Sequence, residues 1–510
     1  MTYVLIPKGW VKSMANKYDL LILAPQIFMN DLQALVAHKN DNGVLTKALS
    51  LEQIYKEYSG RDEAEKVKAC LFHAHLRDGI KYAMLVGDED QFPIRFTKWT
   101  WQPVPNESDQ EAKSSFYTLY VSTDQYYTAL YRPDGSFDNW DANQDGVFGE
   151  TFLSGYTSPI EVNPDKVHMI PQIAIGRVPA SSNIELQNYV SKVINYEKQD
   201  FSSSDWLNNL LVVLGFDPKI GTPYDLAGGN WNLISKMFKV HTLGFNPGNE
   251  YPNPDNINQH IDNGVGFVIY HGHGAIERWA INWSPNPIVD YSMDDVLGSI
   301  PDKKGLDNPD KLPVIFAESC DTGRFGGKPP LTGYTDINGI GHNGVYKNEV
   351  FTSIPPQPAC IQDKPEYKNE SMAEAMTVMK TQGAIGYIGA TITSGGTDEN
   401  MLYFFLKALQ DGHWTLGDAW KKMMEQYYQK YIPPDPNTRA LAVDAPLIMP
   451  WRYCLFGDPS LRLRGVKSAW PLSPEDLEIH IKIVKPEAIK AILDRIDPVL
   501  KKSVALKAYR

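Results

Sequence analysis

An α/β fold of mostly parallel sheets flanked by helices, in two consecutive subdomains, is predicted by three observations. Apolar runs of single-strand length recur at 18–24 (YDLLILA), 82–86 (YAMLV), 210–215 (LLVVLG), 265–270 (VGFVIY), 312–317 (LPVIFA) and 384–389 (AIGYIG). Such runs are continuous rather than alternating, as in strands covered on both faces. Capped helical segments lie between them, and that alternation points to parallel strands. A polar break at 200–205 (DFSSSD) precedes a second start of the same alternation. The 510 residues exceed one ordinary core. Predicted boundaries are 1–202, 203–465 and a tail, 466–510.

In chain order, the strand at 18–24 is followed by a helix beginning at Asp62, with Glu65 three residues on as in a capping box. Val67, Cys70, Leu71 and Ala74 form its apolar stripe and Gly79 ends it, so Cys70 reads as core. His73 and His75 have no partners at ligand spacing and read as boundary residues. The strand at 82–86 comes next, then a short one at 173–175. Ser182 with Glu185 caps a helix running to about Glu197.

Beyond the break, the run 210–215 restarts the pattern. The run 265–270 leads into His271-Gly272-His273-Gly274, and 312–317 into Glu318-Ser319-Cys320-Asp321-Thr322-Gly323. Ser371 and Glu374 cap a helix ahead of the strand at 384–389. The segment 323–370 is rich in Gly, Pro and Asn and has no period. Loops of that length are usually functional or disordered. A lid, an inhibitory flap, a cleavage site and plain surface decoration are all open. In the Lys-rich tail, Pro486, Ile489, Ile492, Leu493 and Ile496 mark a short amphipathic helix expected to pack on its own domain.

The net charge of −12 offers no electrostatic reason to bind nucleic acid or an anionic membrane. No apolar stretch approaches the roughly 20 residues of a membrane helix. The first residues lack a signal-peptide pattern. The chain as given is therefore expected in the cytoplasm, or secreted if its N-terminus has been trimmed. Four cysteines make no disulfide framework.

Functional groups in an open α/β sheet gather where parallel strands end at their carboxyl side. His273 and Cys320 each follow such a strand, so a thiol and an imidazole are predicted in one cleft. A thiol attacks a carbonyl only as thiolate, and an imidazole that takes its proton makes it a nucleophile. Gly274 and Gly323 would let backbone approach a substrate. The first reading is a cysteine peptidase. His271, two residues before His273, faces the same way in extended chain and leaves the choice of base open. It also allows a zinc hydrolase using His271 and His273, although further ligands at sensible spacing are missing.

Between 138 and 150, oxygen-bearing side chains alternate before a glycine. Asp141, Asn143 and Asp145 match positions one, three and five of a calcium loop, Val147 would give a carbonyl, and Glu150 could close the shell. A metal-free Asn/Asp/Gly turn is the alternative. With calcium, the expected role is structural support of the first subdomain.

The His271–Gly274 and Cys320–Gly323 segments resemble those of gingipain-type cysteine peptidases, relatives of caspases in clan CD. The His-to-Cys separation is like the roughly 50 residues of caspases. Further landmarks are the strand at 82–88, residues 171–179 (PQIAIGRVP), the helix–strand unit at 371–391 and Phe456-Gly457-Asp458-Pro459-Ser460-Leu461. Together they span about 18 to 463. The resemblance implies a caspase-like catalytic unit with the dyad in the second subdomain, His273 as base and Cys320 as nucleophile. It implies oxyanion donors at the backbone of Gly274 and Cys320, Asp217 supporting the histidine, Asp225 selecting a basic P1 residue, and calcium in the 138–150 loop. The insertion at 323–370 and the Lys-rich tail depart from the family pattern. Expected partners are peptide or protein substrates, with a regulatory protein unspecified. A catalytically silent relative that binds proteins through the same cleft is the rival reading.

Overall fold

Apolar runs buried on both faces become the middle strands of one large sheet in the computed structural model. It describes residues 18–102, 117–154, 163–201, 204–217, 222–223, 229–282, 288–362, 370–394, 398–431 and 449–464. The first half supplies β1 (Leu20–Ala24), β2 (Thr46–Ser50), β3 (Tyr82–Val86), β4 (Arg95–Gln102), β5 (Tyr117–Thr123), β6 (Thr151–Ser154) and β7 (Ala174–Val178). The second half supplies β8 (Asn209–Leu214), β9 (Phe216–Asp217), β10 (Thr222–Pro223), β11 (Lys239–Leu243), β12 (Phe267–His271), β13 (His273–Ala275) and β14 (Arg278–Asn282). It continues with β15 (Val289–Ser292), β16 (Val314–Glu318), β17 (Tyr334–Thr335), β18 (Gly341–His342), β19 (Gly386–Ala390) and β20 (Tyr453–Gly457). Helices start at the predicted caps. Asp62 accepts from the Glu65 N–H at 2.8 Å, Ser182 accepts from Glu185, and Ser371 and Glu374 make a reciprocal box.

Ten strands share one sheet in the order β11-β8-β12-β16-β19-β20-β7-β3-β1-β2. Each half contributes a parallel set. β20 joins them, antiparallel to β19 and parallel to β7. The two sets therefore run in opposite directions, and their carboxyl ends open at opposite edges of the sheet. The strands predicted to end at 270 and 317 each run one residue further, because the ladder carries on through polar residues. His271 and Glu318 are ladder partners, the last pair of β12 and β16.

The seam between β20 and β7 rests on a close approach: a Cβ on Gly176 would lie 2.1 Å from the Gly457 carbonyl oxygen. Arg177 beside it is fully buried, bonded to both oxygens of Asp124 at 2.8 and 2.6 Å and to the Gly87 carbonyl at 3.2 Å. Lys39, also fully buried, holds Glu197 at 2.7 Å and Asp458 at 2.6 Å, tying the chain after β20 to two helices of the first half.

The described part of the insertion is a packed strap rather than a free loop. It leaves the cysteine turn and crosses to the first half. There the Tyr120 N–H donates to Pro329 O at 2.8 Å, the Ile94 N–H to Cys360 O at 2.7 Å, and Gln357 Nε2 to Phe96 O at 2.9 Å. Cys360 is buried in the first-half core. The tail helix expected around 486–496 lies outside the described residues. Among the described residues, no helix is long and apolar enough to cross a membrane.

Lys68, in the helix Glu63–Asp78, is fully buried beneath the rings of Tyr126 and Trp140, 4.1 and 5.1 Å from their centroids. Burial pulls its amine down to about 7, partly offset by the charge of Asp138. A depressed pKa means its contribution to stability is present above the unfolded value and lost as pH falls through the folded one. Unfolding midpoints in urea are expected to rise between about pH 7 and pH 9 in the native chain. Lys68→Met should flatten that rise; an unchanged slope would refute the assignment.

Candidate active site

β12 lies between β8 and β16, so its carboxyl end opens beside that of β16. After Gly272 the chain turns into β13, part of a small sheet with β14, β15, β9 and β10. His273 opens that strand. Its carbonyl accepts from the Tyr270 hydroxyl, whose ring stacks on Trp279 with centroids 4.7 Å apart. Trp279 in turn donates to the Tyr387 hydroxyl at 3.0 Å. The backbone carrying the imidazole is thus held by aromatic groups from β12, β14 and β19.

Gly274 brings the two segments together. A Cβ there would stand 2.4 Å from the Cys320 carbonyl oxygen and 2.9 Å from Ser319 Cβ. The backbone next to His273 and that of Cys320 therefore meet at one corner of the sheet. The backbone of Gly274 and of Cys320, expected to meet an oxyanion, belongs to the same contact. Gly274→Ala would push the segments apart, and a shift of about 1 Å at reacting groups costs about 100-fold in rate. Cleavage kinetics beside a melting curve test this; full activity in the Ala variant would contradict it.

Of the four cysteines, Cys320 alone is not buried. Burial pushes the thiols of Cys70 and Cys360 up to about 12. The turn after Cys320 has Asp321 at φ +62°, a conformation unusual outside glycine, and Lys328 pairs with Asp321 at 2.6 Å. The Asp321 N–H donates to Ile392 O at 3.2 Å and the Gly323 N–H to Ala390 O at 2.9 Å, which zips the turn to the exit of β19.

His271 is engaged with Glu318, Nδ1 to Oε2 at 2.9 Å. Glu318 was not foreseen, although it stands two residues before Cys320 as His271 stands two before His273. Asp217 lies on β9, which pairs with the same strand as β13: Phe216 is opposite Asn282 and His273 opposite Ala280. Asp225 lies outside the described residues.

The 138–150 loop is closed by its own turns. Asp141 accepts from Asp145 and Gly146 N–H groups at 3.1 and 3.2 Å and pairs with Arg61. Asp145 accepts from the Val147 N–H at 2.9 Å. Glu150 pairs with Lys98 at 2.7 Å, and Asn143 Nδ2 reaches Asp145 and Glu150 at 3.2 Å each. Asp165, unforeseen, accepts from the Ala142 and Glu150 N–H groups. Burial, with the nearby charges of Glu150 and Asp141, lifts its carboxyl to about 7. Among the described residues, no three His, Cys, Asp or Glu side chains are grouped as a metal centre needs. As placed, these side chains bond to the loop's own backbone and to one another, and pair with Arg61 and Lys98.

Comparison with known proteins finds relatives in sequence and in fold. Lys-gingipain of Porphyromonas gingivalis is 27% identical over 169 residues, 32% of this chain and 9% of that protein. Gingipain R2 of the same species is 20% identical over 317 residues, 60% of this chain and 32% of that protein. The chain thus spans only a minor part of these relatives. Two solved structures share the fold. The complex of Porphyromonas gingivalis RgpB pro- and mature domains has a TM-score of 0.56 at 18% identity, covering 88% of this chain and 81% of that one. The Arg-specific cysteine proteinase gingipain R (RgpB) has a TM-score of 0.54 at 18% identity, covering 89% and 81%. The sequence model of peptidase family C25 matches residues 13–464, which takes in both halves, the seam and the His273–Cys320 corner, and the chain belongs to that family.

Proposed function

We propose that this chain is a cysteine endopeptidase with His273 and Cys320 as its dyad. The observation that carries the reading is the packing of Gly274 on the Cys320 carbonyl at the ends of neighbouring strands. The His273 imidazole takes the thiol proton and the sulfur attacks the peptide carbonyl carbon. Backbone N–H groups of Gly274 and Cys320 meet the oxyanion. The C–N bond breaks, the amine leaves with the proton from His273, and an acyl-thioester remains. Water adds to it as His273 takes a proton, the C–S bond breaks, the carboxylic acid leaves, and His273 returns the proton to the sulfur. Asp217 is assigned the support of His273, in keeping with its place on the same small sheet.

A basic residue before the scissile bond is the proposed preference. It is supported by the names of the Lys-gingipain relative and the Arg-specific gingipain R structure, and by the chemistry of a carboxylate such as Asp225 facing a cation. Cleavage of a peptide library, with labelling by a peptide chloromethyl ketone, tests both parts. Modification at Cys320 with Lys or Arg at P1 is expected. A profile indifferent to P1 ends the preference, and no cleavage favours a protein-binding relative.

Calcium at the 138–150 loop is proposed on ligand chemistry alone, through Asp141, Asn143, Asp145, the Val147 carbonyl and Glu150. Binding requires Arg61 to release Asp141 and Lys98 to release Glu150. The melting temperature should then rise by several degrees in calcium over chelator. Equal melting in both dismisses the metal.

A further inference from the structure

The sulfur of Cys320 rests against one residue that none of the sequence motifs includes. Ser394 follows β19 by four residues, and its N–H lies 3.4 Å from Cys320 Sγ, its carbonyl oxygen 3.7 Å and its hydroxyl 3.9 Å. The segment is fixed from several sides. The Thr391 N–H donates to Arg452 O at 2.6 Å and its hydroxyl to Ser122 O at 2.9 Å, while Arg452 Nη1 donates to Thr393 O at 3.0 Å. The Asp321 N–H, next to the cysteine, donates to Ile392 O at 3.2 Å. A neutral thiol accepts hydrogen bonds weakly and a thiolate strongly. An N–H and an O–H aimed at one sulfur therefore favour its ionised form.

We infer that Ser394 is a positioning residue for the nucleophile: its carbonyl receives the S–H at rest, and its N–H and hydroxyl hold the sulfur once His273 has taken the proton. The inference rests on the peptidase reading for its purpose but not for its test. The rate of Cys320 alkylation by iodoacetamide, followed by mass spectrometry between about pH 5 and pH 9, reports the thiolate directly. Ser394→Ala, which removes the hydroxyl, should move the midpoint up by about half a pH unit. Ser394→Pro, which removes the N–H, should move it at least as far, and Ser394→Thr should restore the native curve. Should Ser394→Pro lose its cooperative melting, the Ala and Thr pair decides. Superimposed curves for native and Ala chains, and for Pro where folded, overturn the inference. Separated curves in a chain that cleaves no peptide would uphold the contact and sink the peptidase reading. Cleavage with superimposed curves would do the reverse.

Discussion

Cys320→Ala is expected to abolish peptide cleavage, lowering the rate by about 10⁴-fold or more, and to remove chloromethyl ketone labelling. The substitution deletes one sulfur atom from a partly buried position, so the fold should melt nearly as before. His273→Ala should lose nearly as much and the double variant little more, because nucleophile and base act as a unit. The prediction is sharp because the other three thiols are buried. Residual labelling in Cys320→Ala would point to a different nucleophile. Cleavage retained in that variant would end the cysteine mechanism.

Asp124→Asn is expected to cause the largest loss of stability. Arg177 is fully buried and Asp124 nearly so, and the carboxylate takes both arms of the guanidinium. Asparagine keeps one acceptor but no charge, leaving a cation stranded inside the seam. Breaking a buried pair from one side costs about 3–5 kcal/mol. Pairing it with Arg177→Met should recover much of that, since removing both charges avoids the stranded one. Urea unfolding of the three variants measures this. A loss below about 1 kcal/mol in Asp124→Asn would mean that solvent or another group reaches the guanidinium.

The middle strands were legible because parallel strands covered on both faces must be apolar throughout, and β1, β3, β8, β12, β16 and β19 were found from that alone. Their ends were not, since a ladder is made by backbone and runs on through His271 and Glu318. The small sheets were missed for a related reason: β4 (RFTKWTWQ) mixes charge and aromatics, and β13 to β15 are short. The strap at 323–362 has no period because single hydrogen bonds to a distant sheet hold it. Each half of the proposed dyad was marked by a strand, a polar residue and a glycine. Ser394 and Glu318 carry no such mark: Glu318 is found from its ladder partner His271, and Ser394 from its contact with the Cys320 sulfur.

The way the seam is made bears on how this protein could be divided. The cysteine turn continues into a strap that docks Phe325 against the Arg177 guanidinium and buries Cys360 among first-half residues. A truncated chain beginning near residue 204 would uncover the flank of β20 as an open edge ready for wrong pairing, and would bare the apolar underside of the strap. Such a fragment should aggregate, and the site could be rebuilt only by supplying the missing half.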